Sequence, residues 1–565
     1  MAIRVTPKSE PIPLNVVGSS TFGDYPKISL EKTYNMIESD GWLVPFPGYH
    51  KVLELSATGR AGRGFFKSVR GNRMIAVVDS QVYDIDFNLS PRVVGTLNTS
   101  HGEVFMDENL ENQICIVDGV NMYIYNYTIP SLTLQTGGAL TGPNAELVPN
   151  YVTYHNTYFL IGNAATNGFG SNWYAYDYAS PTTITEHSVM QLQTKPDNAL
   201  AIKRIPAQAA NVLVFGNTVC EIHTNVPGLG QLNTEQDYQR NNSVGIDYGC
   251  LSVSTIAESG EYIAWLGANE TNLPVIMVMK GQSVQRISTD GIDFLLQDLS
   301  FPAQSTAMMY STNGHLFYQL TFYNEADNVT LAYDFNNEKF YHLSDHNLNY
   351  HPAVDIVSFS PNLTTNPNLE NILEGIYQNT FFLSLNNGCV YQLSQDFYDI
   401  NEDINDDVFA GTDPNLRFEM QRIRICKNIR FPTSAPFKAN QLVFTIEMGM
   451  DNLPATQDCL IYMVTEQNIR IFSEYESGYE QVVPEGAGNE DCLGVQYQGR
   501  IDLAISKTGN EAFSNYVPRY MHHTGHQKNM LRWNKMGRAN DLVPKIRFWS
   551  LGRIVATDGY VEVTP

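Results

Sequence analysis

Arg73-Met-Ile-Ala-Val-Val-Asp-Ser-Gln-Val-Tyr-Asp-Ile85 is a hydrophobic strand, a two-residue Asp-Ser turn and a second strand carrying an aromatic. The same order recurs along the chain. It returns as Gln113-Ile-Cys-Ile-Val-Asp-Gly-Val-Asn-Met-Tyr-Ile-Tyr, and as Thr157-Tyr-Phe-Leu-Ile-Gly coming back through Asn172-Trp-Tyr-Ala-Tyr. Val212-Leu-Val-Phe-Gly-Asn-Thr-Val-Cys-Glu-Ile is the fourth copy, and Tyr262-Ile-Ala-Trp-Leu-Gly with Val275-Ile-Met-Val-Met the fifth. His315-Leu-Phe-Tyr-Gln-Leu with Leu331-Ala-Tyr-Asp-Phe, and Thr380-Phe-Phe-Leu-Ser-Leu-Asn-Asn-Gly-Cys-Val-Tyr-Gln-Leu, complete the series. Their starts lie roughly 40 to 65 residues apart, a period that in an all-β chain points to a β-propeller. One hairpin is half of a four-stranded sheet, and such a sheet cannot bury both faces alone. Stacking the sheets radially about an axis buries each against its neighbours. The sequence therefore predicts an all-β fold, a propeller of six or seven blades, over residues 64–395. The same hairpins arranged as two sandwiches are the competing architecture.

Composition agrees. The chain has 565 residues, 43% of them hydrophobic, with 32 Tyr, 27 Phe and little helical periodicity. A length of this kind calls for more than one core. No 18-residue apolar run occurs, and the N-terminal Met-Ala-Ile-Arg-Val-Thr-Pro-Lys lacks the apolar stretch of a signal peptide, so neither stable membrane insertion nor signal-dependent export is expected. Seven scattered cysteines without a C-x-x-C pair read as buried reduced thiols.

Around the propeller, residues 1–63 read as an irregular segment packing on the propeller or on a neighbour. Residues 396–420 read as an acidic linker, and 421–565 as a smaller β-sandwich-like domain. Asn/Gly-rich loops at 163–172, 324–328 and 362–368 qualify equally as a channel gate.

The candidate chemistry is thin. His522, His523 and His526 form an H-H-x-x-H cluster, but the zincin pattern needs Glu where His523 stands, and the segment is basic. Asp399-x-Asn401-x-Asp403-x-Asn405 opens like a calcium loop, yet Ile404 replaces the glycine and Ala410 the final glutamate. Ser288-Thr-Asp-Gly-Ile-Asp-Phe approaches a sialidase turn but puts Ile292 at the glycine position and lacks its tryptophan. Nucleophile-elbow, phosphate-loop and dinucleotide patterns are missing. The reading is a non-enzyme without catalytic residues, cofactor or metal.

The charge is more informative. The formal net charge is -24, yet His522 to Arg553 holds seven Lys/Arg against one acid, Asp541. The overall acidity argues against a general nucleic-acid binder. It does not argue against a conduit, because an acidic wall repels phosphate and lets DNA slide. The basic stretch mixes Arg with aromatics, the composition of interface cores. Arg532, Trp533, Lys535, Arg538, Arg547 and Phe548 are the candidate subunit-interface residues. DNA phosphate contact and an ordinary β-domain surface are the other readings.

The pattern W-x-x-x-G-R on Trp533, Lys535, Gly537 and Arg538, then K-x-R-F ending on Arg547 and Phe548, resembles the close of the packaged-DNA stabilisation proteins of short-tailed phages, also called tail hub or nozzle proteins. Tyr34-Asn-Met-Ile-Glu, then Gly41-Trp-Leu-Val-Pro-Phe-Pro-Gly-Tyr, resembles that family's N-M pair and F-P-G tract. The Gly-Arg-Gly segment within Arg60 to Gly64 follows in the family's order. The resemblance implies a virion tail protein made in the bacterial cytoplasm. It implies a hexameric ring beneath the portal and its adaptor (head-to-tail connector) subunits. The ring lumen would continue the channel for double-stranded DNA without sequence specificity, retain the packaged genome and conduct it during ejection. Tail fibres or spikes, and a needle or plug, would be its further partners. The alternative from a different class is a carbohydrate-binding or glycan-cleaving propeller, a receptor-binding tail protein.

Overall fold

A computed structural model describes residues 9–22, 29–55, 61–135, 141–142, 145–165, 169–177, 189–226, 237–242, 244–360, 379–402, 417–430, 435–448, 461–464, 469–472, 500–521, 528–550 and 553–564. Seven sheets of antiparallel strands follow one another around an axis. Blade 1 runs Gly62–Ser68, Arg73–Val78, Gln81–Ile85 and Pro91–Thr96 from the axis outward. Blades 2, 3 and 4 begin on the axis with Phe105–Glu108, Pro149–His155 and Ala201–Arg204. Blades 5 and 6 begin with Ala257–Ser259 and Ser305–Thr312. Blade 7 is Ala353–Phe359, Asn379–Ser384 and Cys389–Ser394, and takes its outermost strand, β5 (Gly48–Glu54), from the other end of the chain. That strand closes the ring without a covalent bond, and Ala353–Phe359 lies beside Gly62–Ser68.

Each of the seven hairpins read from the sequence forms the middle pair of a blade. Their continuous apolar character has a direct cause. In Arg73–Val78, Met74, Ala76 and Val78 pack toward blade 7, while Ile75 and Val77 pack toward blade 2. Both faces of the sheet are covered, so alternation gives way to an unbroken run. Seven such cores lie between successive blades. The Asp-Ser turn works because Asp79 adopts a left-handed backbone (φ 56), which Asp tolerates better than most residues.

The second unit is a sandwich around its own core, which includes Leu442, Phe444, Leu503, Ile546 and Val561. One sheet holds Phe437–Met448 between Lys528–Ala539 and Ile554–Thr564. The other grows out of blade 6. Its strand order runs from Lys339–Leu343 through β2 (Lys32–Tyr34), Arg422–Ile425, Val543–Trp549 and Arg500–Ser506 to Val517–Tyr520.

The described residues among the first 63 include strands where the sequence predicts an irregular segment. β1 (Glu10–Leu14) pairs with Ile554–Thr564, so sequences near the two chain ends share a sheet. β2 joins blade 6 to the sandwich. The hairpin of β3 (Met36–Ser39) and β4 (Trp42–Pro45) joins the sandwich through Leu43 and Ala556. Each piece is short and pairs with a partner hundreds of residues away, so no local periodicity marks it. The acidic stretch also contains structure: Asp399–Asn401 runs parallel to β5, and Arg417–Glu419 pairs with it in turn.

Candidate functional site

The propeller axis is a cavity of about 270 Å³ lined from all seven innermost strands. The lining is ionic at its centre. Lys203 Nζ lies 3.8 Å from Glu258 and over the Tyr151 ring. Arg204 donates to the same Glu258 carboxylate at 2.9 Å. Asp107 accepts from the Tyr154 backbone N–H at 2.6 Å, and burial raises its pKa against the pull of Lys203. Burial also pushes Glu103 up to about 7, opposed by hydrogen bonds from Ser254 and Tyr323, and it pushes Asp355 up to about 7. The axis is thus a narrow space lined by a mixed set of acids and bases. Sequence reading missed it, because the residues come one or two per blade and share no pattern along the chain.

The glycines beside the axis explain how the blades approach so closely. A Cβ on Gly62 would sit 2.5 Å from the Ser384 carbonyl of blade 7, and one on Gly64 2.3 Å from the Val104 carbonyl before blade 2. Arg63 between them is buried and donates five hydrogen bonds. Nε reaches Gly102 O at 2.6 Å; the terminal nitrogens reach Asp79 O at 2.7 Å, Thr99 O and Thr99 Oγ1 at 2.9 Å, and His101 O at 2.8 Å. Thr99 Oγ1 passes the chain on to Asp118 at 2.7 Å.

The N-terminal arm is locked in the same manner. Asn35 sits at φ 53 and donates to Ser344 Oγ and Gln421 O, both at 2.8 Å, tying together the arm, blade 6 and the sandwich. Met36 is buried in the sandwich core. Gly48 is required because a Cβ there would lie 2.2 Å from Asp399 O. The fully buried Arg424 guanidinium pairs with Glu31 and donates to Val16 O and Ser19 O, each at 2.9 Å.

These locks carry the motifs that first suggested a family, and the family comparison agrees. Residues 24–341, more than half of the chain, match the phage-stabilisation family described as bacteriophage P22 Gp10, beta-propeller. The chain belongs to that family. The matched region takes in β2 to β5, the Arg63 staple, blades 1 to 5 and most of blade 6, and so includes the residues where arm, blades and sandwich meet. No curated protein matches the chain. Among solved structures, streptogramin B lyase is similar at 10% identity over 63% of this chain and 99% of that one, with a TM-score of 0.38. The WD40 domain of Neurospora crassa Pan2 is similar at 9% identity over 64% and 97%, with a TM-score of 0.37. The extracellular domain of the one component system BT4673 from B. thetaiotaomicron matches at 9% identity over 63% of this chain, with a TM-score of 0.38. This chain spans 41% of that last protein's length. None of the three carries an argument about function.

In this phage-family chain, the six residues of the C-terminal strip separate into two groups. Trp533 and Phe548 lie inside the sandwich core, and the Trp533 indole N–H donates to Val517 O at 2.8 Å. Arg547 is mostly buried and donates to Asp502 at 2.7 Å, a carboxylate that Trp549 Nε1 also reaches at 2.7 Å. These three build the domain. Arg532, Lys535 and Arg538 are exposed on one face of Lys528–Ala539. Lys535 and Gly537 both take positive φ, 59° and 92°, at a register shift opposite Asn440, and this bulge turns Lys535 outward.

The other sequence candidates also receive positions. Asp399 is spent on His50 Nε2 at 2.8 Å, with Phe397 stacked on that imidazole. Asp403, Asn405, and the cluster of His522, His523 and His526 lie outside the described residues. Thr289 of the sialidase-like stretch caps the helix α1 (Asp290–Gln297). Among the described residues, no group of three or more His, Cys, Asp or Glu is placed to hold a metal, and no helix is long and apolar enough to cross a membrane. The five described cysteines are buried and form no disulfide.

Proposed function

We propose that this phage protein is a non-catalytic component of the virion tail. Six copies form a ring that extends the portal-adaptor channel, retains the packaged genome and conducts it during ejection. The observation that carries the reading, beside family membership, is the narrowness of the axis. A duplex whose major groove alone is about 12 Å wide does not fit a cavity of about 270 Å³. A DNA path therefore runs between copies and not through a propeller, and a passage between copies requires a ring. A net charge of -24 suits such a wall, which repels phosphate and leaves DNA free to slide. The adaptor ring would seat on one end of the assembly, with fibres or spikes and a needle or plug on the other.

Electron microscopy of the purified chain, alone and mixed with its adaptor ring, tests the reading. Six-fold rings continuous with the adaptor lumen are expected. A chain that joins no ring and degrades host polysaccharide would instead be a receptor-binding tail protein, and the proposal would fail.

A further inference from the structure

Two exposed surfaces of opposite charge lie apart on the molecule, one at the outer edge of the sandwich and one at an end of blades 5 and 6. The first is the outer edge of the sandwich. Arg532, Lys535 and Arg538 project from Lys528–Ala539, and Val517, Tyr520 and Met530 remain 44%, 54% and 54% exposed beside them. Lys438 stands directly across from Arg538 in the strand register and is also exposed. Like charges directly opposite each other weaken a strand pair, and among the described residues neither has an acidic partner, whereas nearby Lys528 and Arg430 do. Among the described residues nothing relieves this repulsion.

The second surface is the end of blades 5 and 6 formed by their second-to-third-strand turns and by the α1 link. Leu273, Phe294 and Phe301 are 45%, 36% and 51% exposed there. Glu270, Asp290, Asp298 and Glu325 surround them. Lys195 answers Glu270, and Arg286 answers Asp290. Asp298 and Glu325 have no cation among the described residues. Residues 244–360 as a whole hold thirteen Asp/Glu against three Lys/Arg.

We infer that copies of this chain join head to tail, the basic and apolar sandwich edge of one copy seated on the acidic and apolar end of blades 5 and 6 of the next. The inference rests on the ring reading and names its contact. The two surfaces cannot meet within one chain. The sandwich and arm attach along the outer edge of blade 6, through Asn35 and Ser344 at one end and through Ser39 and His315 Nε2, 3.1 Å apart, at the other. Val517–Tyr520 is the fifth strand outward from Lys339–Leu343, about 24 Å away at ~4.8 Å per strand. Two unlike surfaces that must be satisfied by different molecules give a heterologous contact, the kind that closes into cyclic rings. Exposed aliphatic and aromatic groups at the centre, with charge around them, match interface anatomy on both sides.

The test uses the full chain in two charge-reversed forms, Arg532→Glu with Arg538→Glu, and Asp298→Lys with Glu325→Lys. Self-association is followed by analytical ultracentrifugation and by microscopy on the adaptor ring. All four positions are exposed, so thermal unfolding of the Asp298/Glu325 variant should match the parent, and that of the Arg532/Arg538 variant should match or slightly exceed it, because Glu at 538 faces Lys438. Each variant alone should associate at least about tenfold more weakly. An equimolar mixture should regain assembly, because every contact then pairs opposite charges. If the parent forms rings and the reversed variants do so equally well, or the mixture restores nothing, the docking pair is wrong while the ring reading stands. A parent that stays monomeric at every concentration and on the adaptor ring overturns both.

Discussion

Replacing Arg63 by Met should cost the propeller about 3–5 kcal/mol, for a reason that can be worked out atom by atom. The guanidinium holds four backbone carbonyls and one hydroxyl around the junction of blades 1 and 2. Met fills much of the same volume but donates nothing. The carbonyls of His101 and Gly102 belong to exposed residues and can turn to water. Those of Asp79 and Thr99 belong to half-buried residues beneath the loop and lose a charged donor each. An acceptor left unsatisfied in a buried setting costs about 1–3 kcal/mol, which sets about 3 kcal/mol for two, and the loosened Thr99–Asp118 link adds to it. Arg63→Lys keeps a charge and up to three donors but cannot span all five acceptors from one plane, so its loss should be about half as large. Urea titrations followed by tryptophan fluorescence give both differences. Hydrogen exchange should show residues 97–104 opening first. A loss below about 1 kcal/mol for Met, or equal losses for Met and Lys, would refute the staple.

Gly48→Ala should destabilise by about 1–3 kcal/mol, since its Cβ would meet backbone of the Phe397–Asp399 segment on two sides; limited proteolysis should then release the arm before the blades unfold. Trp533→Ala should cost about 3–5 kcal/mol through a cavity in the sandwich, while Arg532→Glu leaves unfolding unchanged; equal effects in calorimetry would contradict their separation into core and surface. The axial acids predict a pH dependence. Glu103 and Asp355 rise from 4.5 and 3.8 to about 7, so the folded chain keeps protons that the unfolded chain has released, and their contribution to stability falls as pH rises from about 4 to 7. Ionised Glu103 costs the fold about 3 kcal/mol, and Glu103→Gln should flatten the pH 5 to pH 8 stability difference by up to that amount; an unchanged slope in urea titrations would place the titration elsewhere.

Much of this protein was legible in the linear chain, for a local reason. The middle hairpin of every blade is buried on both faces, so its strands are apolar runs joined by turns that any antiparallel ribbon would need. A run such as Arg73–Val78 announces itself wherever it stands. The innermost strands that carry Asp107, Lys203 and Glu258 are only three or four residues long, and their polar residues make sense only when the seven innermost strands converge. The basic strip could be found by counting charges. Its division into core residues and surface residues could not, because Trp533 and Arg532 are neighbours in sequence and point to opposite sides of one strand.

What the sequence determined by itself was the all-β character, the repeated hairpins and the sign reversal of charge, all of which follow from side-chain chemistry within a dozen residues. Tertiary structure alone decided the blade count, because the seventh blade borrows β5 from more than 300 residues upstream. It also decided the narrow ionic axis and the separation of the two charged surfaces. Those features depend on which strands meet across the ring, and pairing of that range leaves no periodic trace in the chain it joins.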